Sequence, residues 1–278
     1  MKIKYLGTAA AEGIPALLCN CENCQRSRAL GGKNLRARTQ ALIDDDLLID
    51  MPPETYSNLQ RFGINLLNIK YWLITHTHSD HFYATELSFT RNGNFAHHPD
   101  DWHGIDLIGS IDLKERLDNI ITDETHKNYI RYSPKKAFIP IECGEYTVVP
   151  LKAKHGTENP FVYIIEKDGK KILYAHDTGF FTDDTIQYFK KENVRFDLVS
   201  LDCTAGNKMI YDYPLHMCLG DNIKCRDYMI NNGFADDNTK FVLNHFSHNG
   251  SDVVYDDFKD IAQKNGLIAS YDGLEIEV

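Results

Sequence analysis

The sequence predicts a layered α/β protein, two groups of β-strands lying between outer helices. Two observations predict it. Short apolar segments of strand character alternate with segments of helical periodicity along all 278 residues. Histidines and aspartates then follow directly after several of those apolar segments, the way an α/β scaffold builds a site on one rim. A chain of this length can bury a sizeable core as one domain. Its 42% hydrophobic and 25% charged residues are ordinary for a globular protein, and 11% aromatics argue against disorder.

Taken in order, Lys2–Leu6 alternates polar and apolar residues and reads as a strand. A loop with glycine follows, from Gly7 to about Arg38. Ala41–Ile43 and Leu47–Ile49 flank Asp44-Asp45-Asp46, which predicts a hairpin. Pro53–Phe62 reads as a helix, with proline in its first turn and Gly63 beyond its end. Tyr71–Thr75 is an apolar strand. Residues 91–134 read as an elaboration beside the core, with one helix at Leu113–Ile121. Tyr146–Ala153 resumes strand character, and Phe161–Glu166 with Lys171–Tyr174 flank the hairpin signal Asp168-Gly169. Helices are expected at Asp184–Lys191, at Asn222–Asn231 before Gly233, and at Asp256–Lys264. Leu198–Leu201 and Phe241–Leu243 are short buried strands. Ile268–Val278 closes the chain as a strand pair. No linker or short repeat divides it, so residues 1–278 read as one domain.

A formal charge of −10 disfavours extended nucleic acid as a partner. It allows a small phosphorylated substrate, because metal ions invert the local field. No apolar run reaches the length of a membrane span, and Met1–Gly7 lacks the regions of a signal peptide. The expected setting is cytoplasmic, and a homodimer is compatible with the composition. Seven cysteines without a secretion signal argue against a disulfide framework.

The strongest chemical signal is His76-Thr77-His78-Ser79-Asp80-His81, directly after a buried strand. His76 and His78 can share one side, while Asp80 and His81 can face a second ion; imidazole with carboxylate suits Zn, Mn or Fe. The alternative is a solvated polar loop. His155, Asp177 and His245 each follow a predicted strand and strengthen the metal reading. A second signal is Cys19-x-Cys21-x-x-Cys24, where three thiolates can chelate one Zn²⁺ and leave a corner for a distant ligand. His248, three residues beyond His245, is the natural fourth ligand; the alternative is a reduced trio without metal. His97, His98, His103 and His126 read as surface residues, Cys143, Cys203, Cys218 and Cys225 as core thiols, and Arg36 and Arg38 as solvated loop charges.

His76–His81 is similar to the HxHxDH signature of the metallo-β-lactamase superfamily, and His155, Asp177 and His245 match its later ligand positions in order. The resemblance implies an αββα metallo-β-lactamase sandwich. It implies two divalent ions, Mn or Zn, one on His76, His78 and His155 and the other on Asp80, His81 and His245, with Asp177 between them. Asp50 matches an acidic residue supporting the site. With the cysteine cluster added as a structural zinc site, the chain resembles the PhnP-like phosphodiesterase branch nearly end to end. That similarity takes in Gly13-Ile14-Pro15, Phe161–Glu166, Leu201-Asp202-Cys203, Asn244–His248 and Tyr271–Ile276. It departs at 91–134, which looks longer than its counterpart.

The resemblance implies hydrolysis of small cyclic or linear phosphodiesters, phosphoribosyl cyclic phosphate among them, by a metal-bridging hydroxide. The implied catalytic residues are Asp80 and His216, with His216 as proton donor to the leaving alkoxide. His216 aligns in order with a histidine near substrate in the branch, though a packing or capping role is the alternative. Other hydrolases on this scaffold compete: a lactonase or thioesterase, or a tRNA 3′-processing nuclease, which would need a basic arm. A metal-binding protein without turnover is the reading from another class.

Overall fold

The structure, a computed structural model, describes residues 1–93 and 95–278. Its first sheet contains β1 (Lys2–Gly7), β2 (Gln40–Ile43), β3 (Leu47–Ile49), β4 (Tyr71–Leu73), β5 (Ile105–Gly109) and β6 (Ile130–Pro134). The second contains β7 (Ile141–Cys143), β8 (Tyr146–Lys152), β9 (Phe161–Lys167), β10 (Lys170–Ala175), β11 (Leu198–Asp202), β12 (Lys240–Asn244) and β13 (Ile268–Ala269). The last strand, β14 (Glu275–Glu277), returns to the first sheet beside β1. The strand order is β14-β1-β2-β3-β4-β5-β6 in one sheet and β13-β12-β11-β10-β9-β8-β7 in the other. Each sheet is antiparallel in one half and parallel in the other.

Side chains that alternate along each strand explain the layering. Ile3 and Tyr5, Val148, Tyr163 and Ile165, Ile172 and Tyr174, Leu198 and Val242 face one another in a core between the sheets. Their neighbours Val149, Ile164, Leu173, Val199, Leu201, Phe241 and Leu243 face the other way. They pack beneath α5 (Asp183–Lys191), α6 (Leu219–Asn231) and α7 (Tyr255–Lys264). On the far side, Leu42, Leu48, Trp72 and Leu107 pack with residues of α2 (Thr55–Phe62) and α3 (Lys114–Ile120). The αββα sandwich is therefore observed.

Several expectations are corrected. The loop from Gly7 to Arg38 contains a helix, α1 (Glu22–Leu30), of which only Cys24 and Ser27 are buried. Residues 91–134 do not lie wholly beside the core, because β5 and β6 continue the first sheet in parallel with β4. A short helix, α4 (Glu124–Tyr129), precedes β6, capped by the Asp123 carboxylate. The closing strand pair is not a pair: β13 joins β12 and β14 joins β1, so the last residues cross from one sheet to the other. No helix among the described residues is long and apolar enough to cross a membrane.

Candidate metal centre

The donor side chains stand where strands stop. β4 ends just before Ile74 and Thr75, which carry the chain into His76–His81. His155 lies three residues beyond β8, Asp177 two beyond β10, and His245 directly after β12. The strand-end turns are tight. Asp50, Asp177 and His245 have φ of 64°, 52° and 61°, a left-handed backbone that residues other than glycine seldom adopt. Each costs on the order of 1–3 kcal/mol and persists where the surroundings hold it, which is typical of functional sites.

The predicted ligands form two groups that share Asp177, and a third group joins Asp177 and His245 to Asp202 and His216. In the first, donor atoms of His76, His78, His155 and Asp177 lie within 4.8 Å of one another; in the second, those of Asp80, His81, Asp177 and His245 do. His76 Nε2 and His155 Nε2 each approach His78 Nδ1 to 3.1 Å, and His81 Nε2 lies 3.4 Å from His245 Nε2. Asp177 Oδ2 stands 3.2 Å from His76 Nε2 and 3.3 Å from His81 Nε2. Asp80 and Asp177 are buried and ion-pair only with histidines among the described residues.

This arrangement fits divalent cations. Two buried carboxylates with no lysine or arginine partner need positive charge. Ligands about 2.0–2.1 Å from a tetrahedral ion stand roughly 3.3 Å apart, which is the spacing of these nitrogens. Buried Asp177 Oδ1 and His155 Nδ1 also make no hydrogen bond within the protein, although they face each other at 3.1 Å. Burial alone would raise the carboxyl pKa values. The charge on His81 outweighs it for Asp80, and His245 and His76 outweigh it for Asp177, so both carboxyls are held well below the usual range. Burial lowers His155 to about 4 against the opposing charge of Asp177, which keeps its imidazole neutral, as a ligand must be.

A surrounding layer sets the ring orientations. Asp50 Oδ2 sits 2.8 Å from His81 Nδ1, so His81 presents Nε2 to the cluster. The other Asp50 oxygen accepts from Thr75 N and Oγ1 at 2.9 and 2.8 Å. Asp202 does the same on the opposite side: Oδ2 lies 3.2 Å from His245 Nδ1 and 3.0 Å from His216 Nδ1. Thr204 Oγ1 donates to Asp202 Oδ2 at 3.0 Å. His216 stands half-buried with Nδ1 3.3 Å from Asp177 Oδ1. Burial lowers its pKa, but Asp202 outweighs that and brings it to about 9. Sequence reasoning gave Asp202 no role. It was readable as the acid that ends the apolar run Leu198–Leu201, the same placement as Asp50 after β3 and Asp177 after β10.

The second cluster lies one turn further along the loop after β12. Cys19, Cys21, Cys24 and His248 bring their donor atoms within 4.8 Å of one another. Cys19 Sγ and Cys21 Sγ are 3.4 and 3.5 Å from His248 Nδ1. A thiolate and an imidazole on one tetrahedral zinc would stand about 3.6 Å apart, so the set fits that ion. Asn23 Nδ2 clamps the loop by donating to His248 O at 2.9 Å and Gly250 O at 2.8 Å.

The remaining candidates fall elsewhere. His97 and His103 are exposed, and His98 packs between Trp102 and Tyr129. His126 is fully buried against Thr90 Oγ1 at 3.0 Å, which corrects its reading as a surface residue. Arg36 is likewise no solvated charge: it is buried over the Phe246 ring and donates to Thr8 Oγ1 at 2.9 Å and Ser270 O at 2.7 Å. Arg38 pairs with Glu54. The four remaining cysteines are buried thiols.

Fold and donor set together define a metal-dependent hydrolase. The chain belongs to the metallo-β-lactamase superfamily: the model of the beta-lactamase superfamily domain matches residues 47–231. Among solved structures it is similar to a diphosphatase from the PhnP family, with a TM-score of 0.73 and 19% identity over 100% of this chain and 97% of that one. Zinc-bound PqqB from Methylobacterium extorquens aligns with a TM-score of 0.70 and 16% identity over 100% of both chains. The short form of human tRNase Z aligns with a TM-score of 0.65 and 15% identity, over 100% of this chain and 99% of that one. No curated protein matches the sequence.

Proposed function

We propose that this hydrolase cleaves small phosphodiesters, cyclic or linear, at a centre of two divalent ions. The observation that carries the proposal is the sharing of Asp177 by the two groups of predicted ligands, with the His216 ring beside it, its Nδ1 3.3 Å from Asp177 Oδ1. His76, His78 and His155 would hold one ion; Asp80, His81 and His245 would hold the other, with Asp177 common to both. Mn²⁺ or Zn²⁺ there would supply Lewis acidity and draw the pKa of water toward neutrality. The likeness to a PhnP-family diphosphatase over nearly the whole of both chains supports phosphorus rather than acyl carbon as the centre attacked. Cys19, Cys21, Cys24 and His248 would hold a structural zinc.

The chain's own residues then divide the work. Asp50 and Asp202 fix the tautomers of His81 and His245. Asp202 also orients His216 through Nδ1, leaving Nε2 free to protonate a leaving alkoxide. Protein loaded with Mn²⁺ or Zn²⁺ should hydrolyse bis(p-nitrophenyl) phosphate and 2′,3′-cyclic nucleotides in preference to p-nitrophenyl phosphate, and chelation should abolish this. Turnover of lactones or thioesters with none of the diesters would overturn the reading.

A further inference from the structure

A cavity of about 370 Å³ opens beside His216, bordered by Phe180, Tyr211, Tyr213, Tyr228 and Lys154. That is large enough for a small ligand. Its rings come from three places in the chain: Phe180 from the turn after Asp177, Tyr228 from α6, and Tyr211 with Tyr213 from the segment leading to His216. Tyr213 stacks on the His216 ring at 5.6 Å and 28°, and Tyr211 stands 6.1 Å from Tyr213. None of the three tyrosine hydroxyls hydrogen-bonds to a described residue, and Lys154 Nζ, next to His155 in the chain, forms no ion pair with one.

The tyrosine segment is held at both ends by close backbone approach. A Cβ on Gly179 would lie 1.9 Å from Pro214 O, and one on Gly220 would lie 2.0 Å from Met209 O. The aromatic wall is thus preformed rather than a chance gathering on a loose loop. Aromatic rings with free hydroxyls and an unpaired cation, in an otherwise acidic protein, match a planar base carried on a phosphate. A sugar phosphate alone would leave the rings uncovered.

We infer that this cavity is a nucleobase subsite, and that the phosphodiesters cleaved are nucleoside phosphates. The inference rests on the phosphodiesterase reading above and deepens it. The base stacks on one of the Tyr211 and Tyr213 rings, which stand at 62° to each other, and meets the other edge-on, and Lys154 meets a phosphate oxygen next to the metal centre.

Calorimetric titration of the metal-replete protein tests it without turnover. Adenosine 5′-monophosphate and ribose 5-phosphate carry the same phosphate and sugar and differ in the base. The adenosine ligand should bind at least about fivefold tighter, since a stacked base is worth about 5- to 150-fold in affinity. Tyr211→Ala and Tyr213→Ala should remove that difference, weakening ribose 5-phosphate by less than twofold, and Tyr213→Phe should retain it. Equal affinities, no measurable heat with either ligand, or equal losses for both in the alanine variants would overturn the subsite. Failure of the diester assays alone would overturn the reaction and leave the base preference to be read directly.

Discussion

Asp50 would act on metal binding through His81 rather than by touching an ion. It holds His81 Nδ1 at 2.8 Å, and the ring's other nitrogen is the one facing Asp80 and Asp177. Removing such an outer partner typically costs about 10–100-fold in metal affinity or activity. Asp50→Asn is expected to lose catalytic metal in that range, measured by chelator competition, while the cysteine-bound zinc stays. His216 invites a sharper comparison. His216→Ala should slow diesters with alkoxide leaving groups by about 10²–10⁴-fold and nitrophenyl diesters far less, since nitrophenolate leaves without a proton. Rate measurements on both classes decide it, and equal losses would return His216 to a binding role. These donors were legible in the sequence because each polar residue follows an apolar run. His126 and Arg36 were not, because a lone polar residue carries no sign of whether the fold closes over it. Burial of Arg36 depends on Phe246 and Ser270, more than 200 positions away.

At the scale of elements, α1 shows why a helix can pass unread. Glu22–Leu30 has only two buried positions, so it lacks the apolar stripe that marks an amphipathic helix. It is held by Asn23 reaching His248 O and by Cys24 Sγ, which accepts from Ala16 N at 3.3 Å. Cys21→Ser should therefore lower both zinc content and melting temperature, with a smaller effect on the chemical step. Zinc analysis beside a thermal melt checks this, and no change in either would reduce the cluster to plain thiols. β6 was hidden for another reason. It lies at the edge of the first sheet with only Ile130 of its five residues buried, and Pro134 ends it. β5 is as long as β11 and β12 and as buried as β12, but Asp106 interrupts its apolar run and polar connections flank it, whereas β11 and β12 read directly as apolar runs.

Across the whole molecule, the C-terminal segment ties the layers together. After β13 the chain passes Asp272, then pairs as β14 with β1, and Val278 N donates to Met1 O at 2.9 Å. Asp272 accepts from Thr8 Oγ1 and Ala37 N, each at 2.7 Å, and from Arg61 at 3.2 Å. Burial dominates these partners and raises its pKa to about 6. A carboxyl raised in the folded state favours folding most below its unfolded pKa, near 4. That contribution, on the order of 3 kcal/mol, is lost as pH rises through about 6. Asp272→Asn should flatten the stability profile between about pH 4 and pH 6, whatever it does to absolute stability. Denaturant melts of both proteins across that window provide the comparison, and parallel profiles would contradict the assignment.

The loop after β12 carries His245 to one cluster and His248 to the other, three residues apart. Whichever site fills first bears the entropy of fixing that loop, so the second is filled more easily. Such coupling is reciprocal by thermodynamic necessity. Zinc at the thiolates should tighten the catalytic ions by the same factor by which those ions tighten the zinc. Loading should then be steeper than independent sites allow, and a protein stripped at the cysteines should also need more catalytic metal to reach half of its activity.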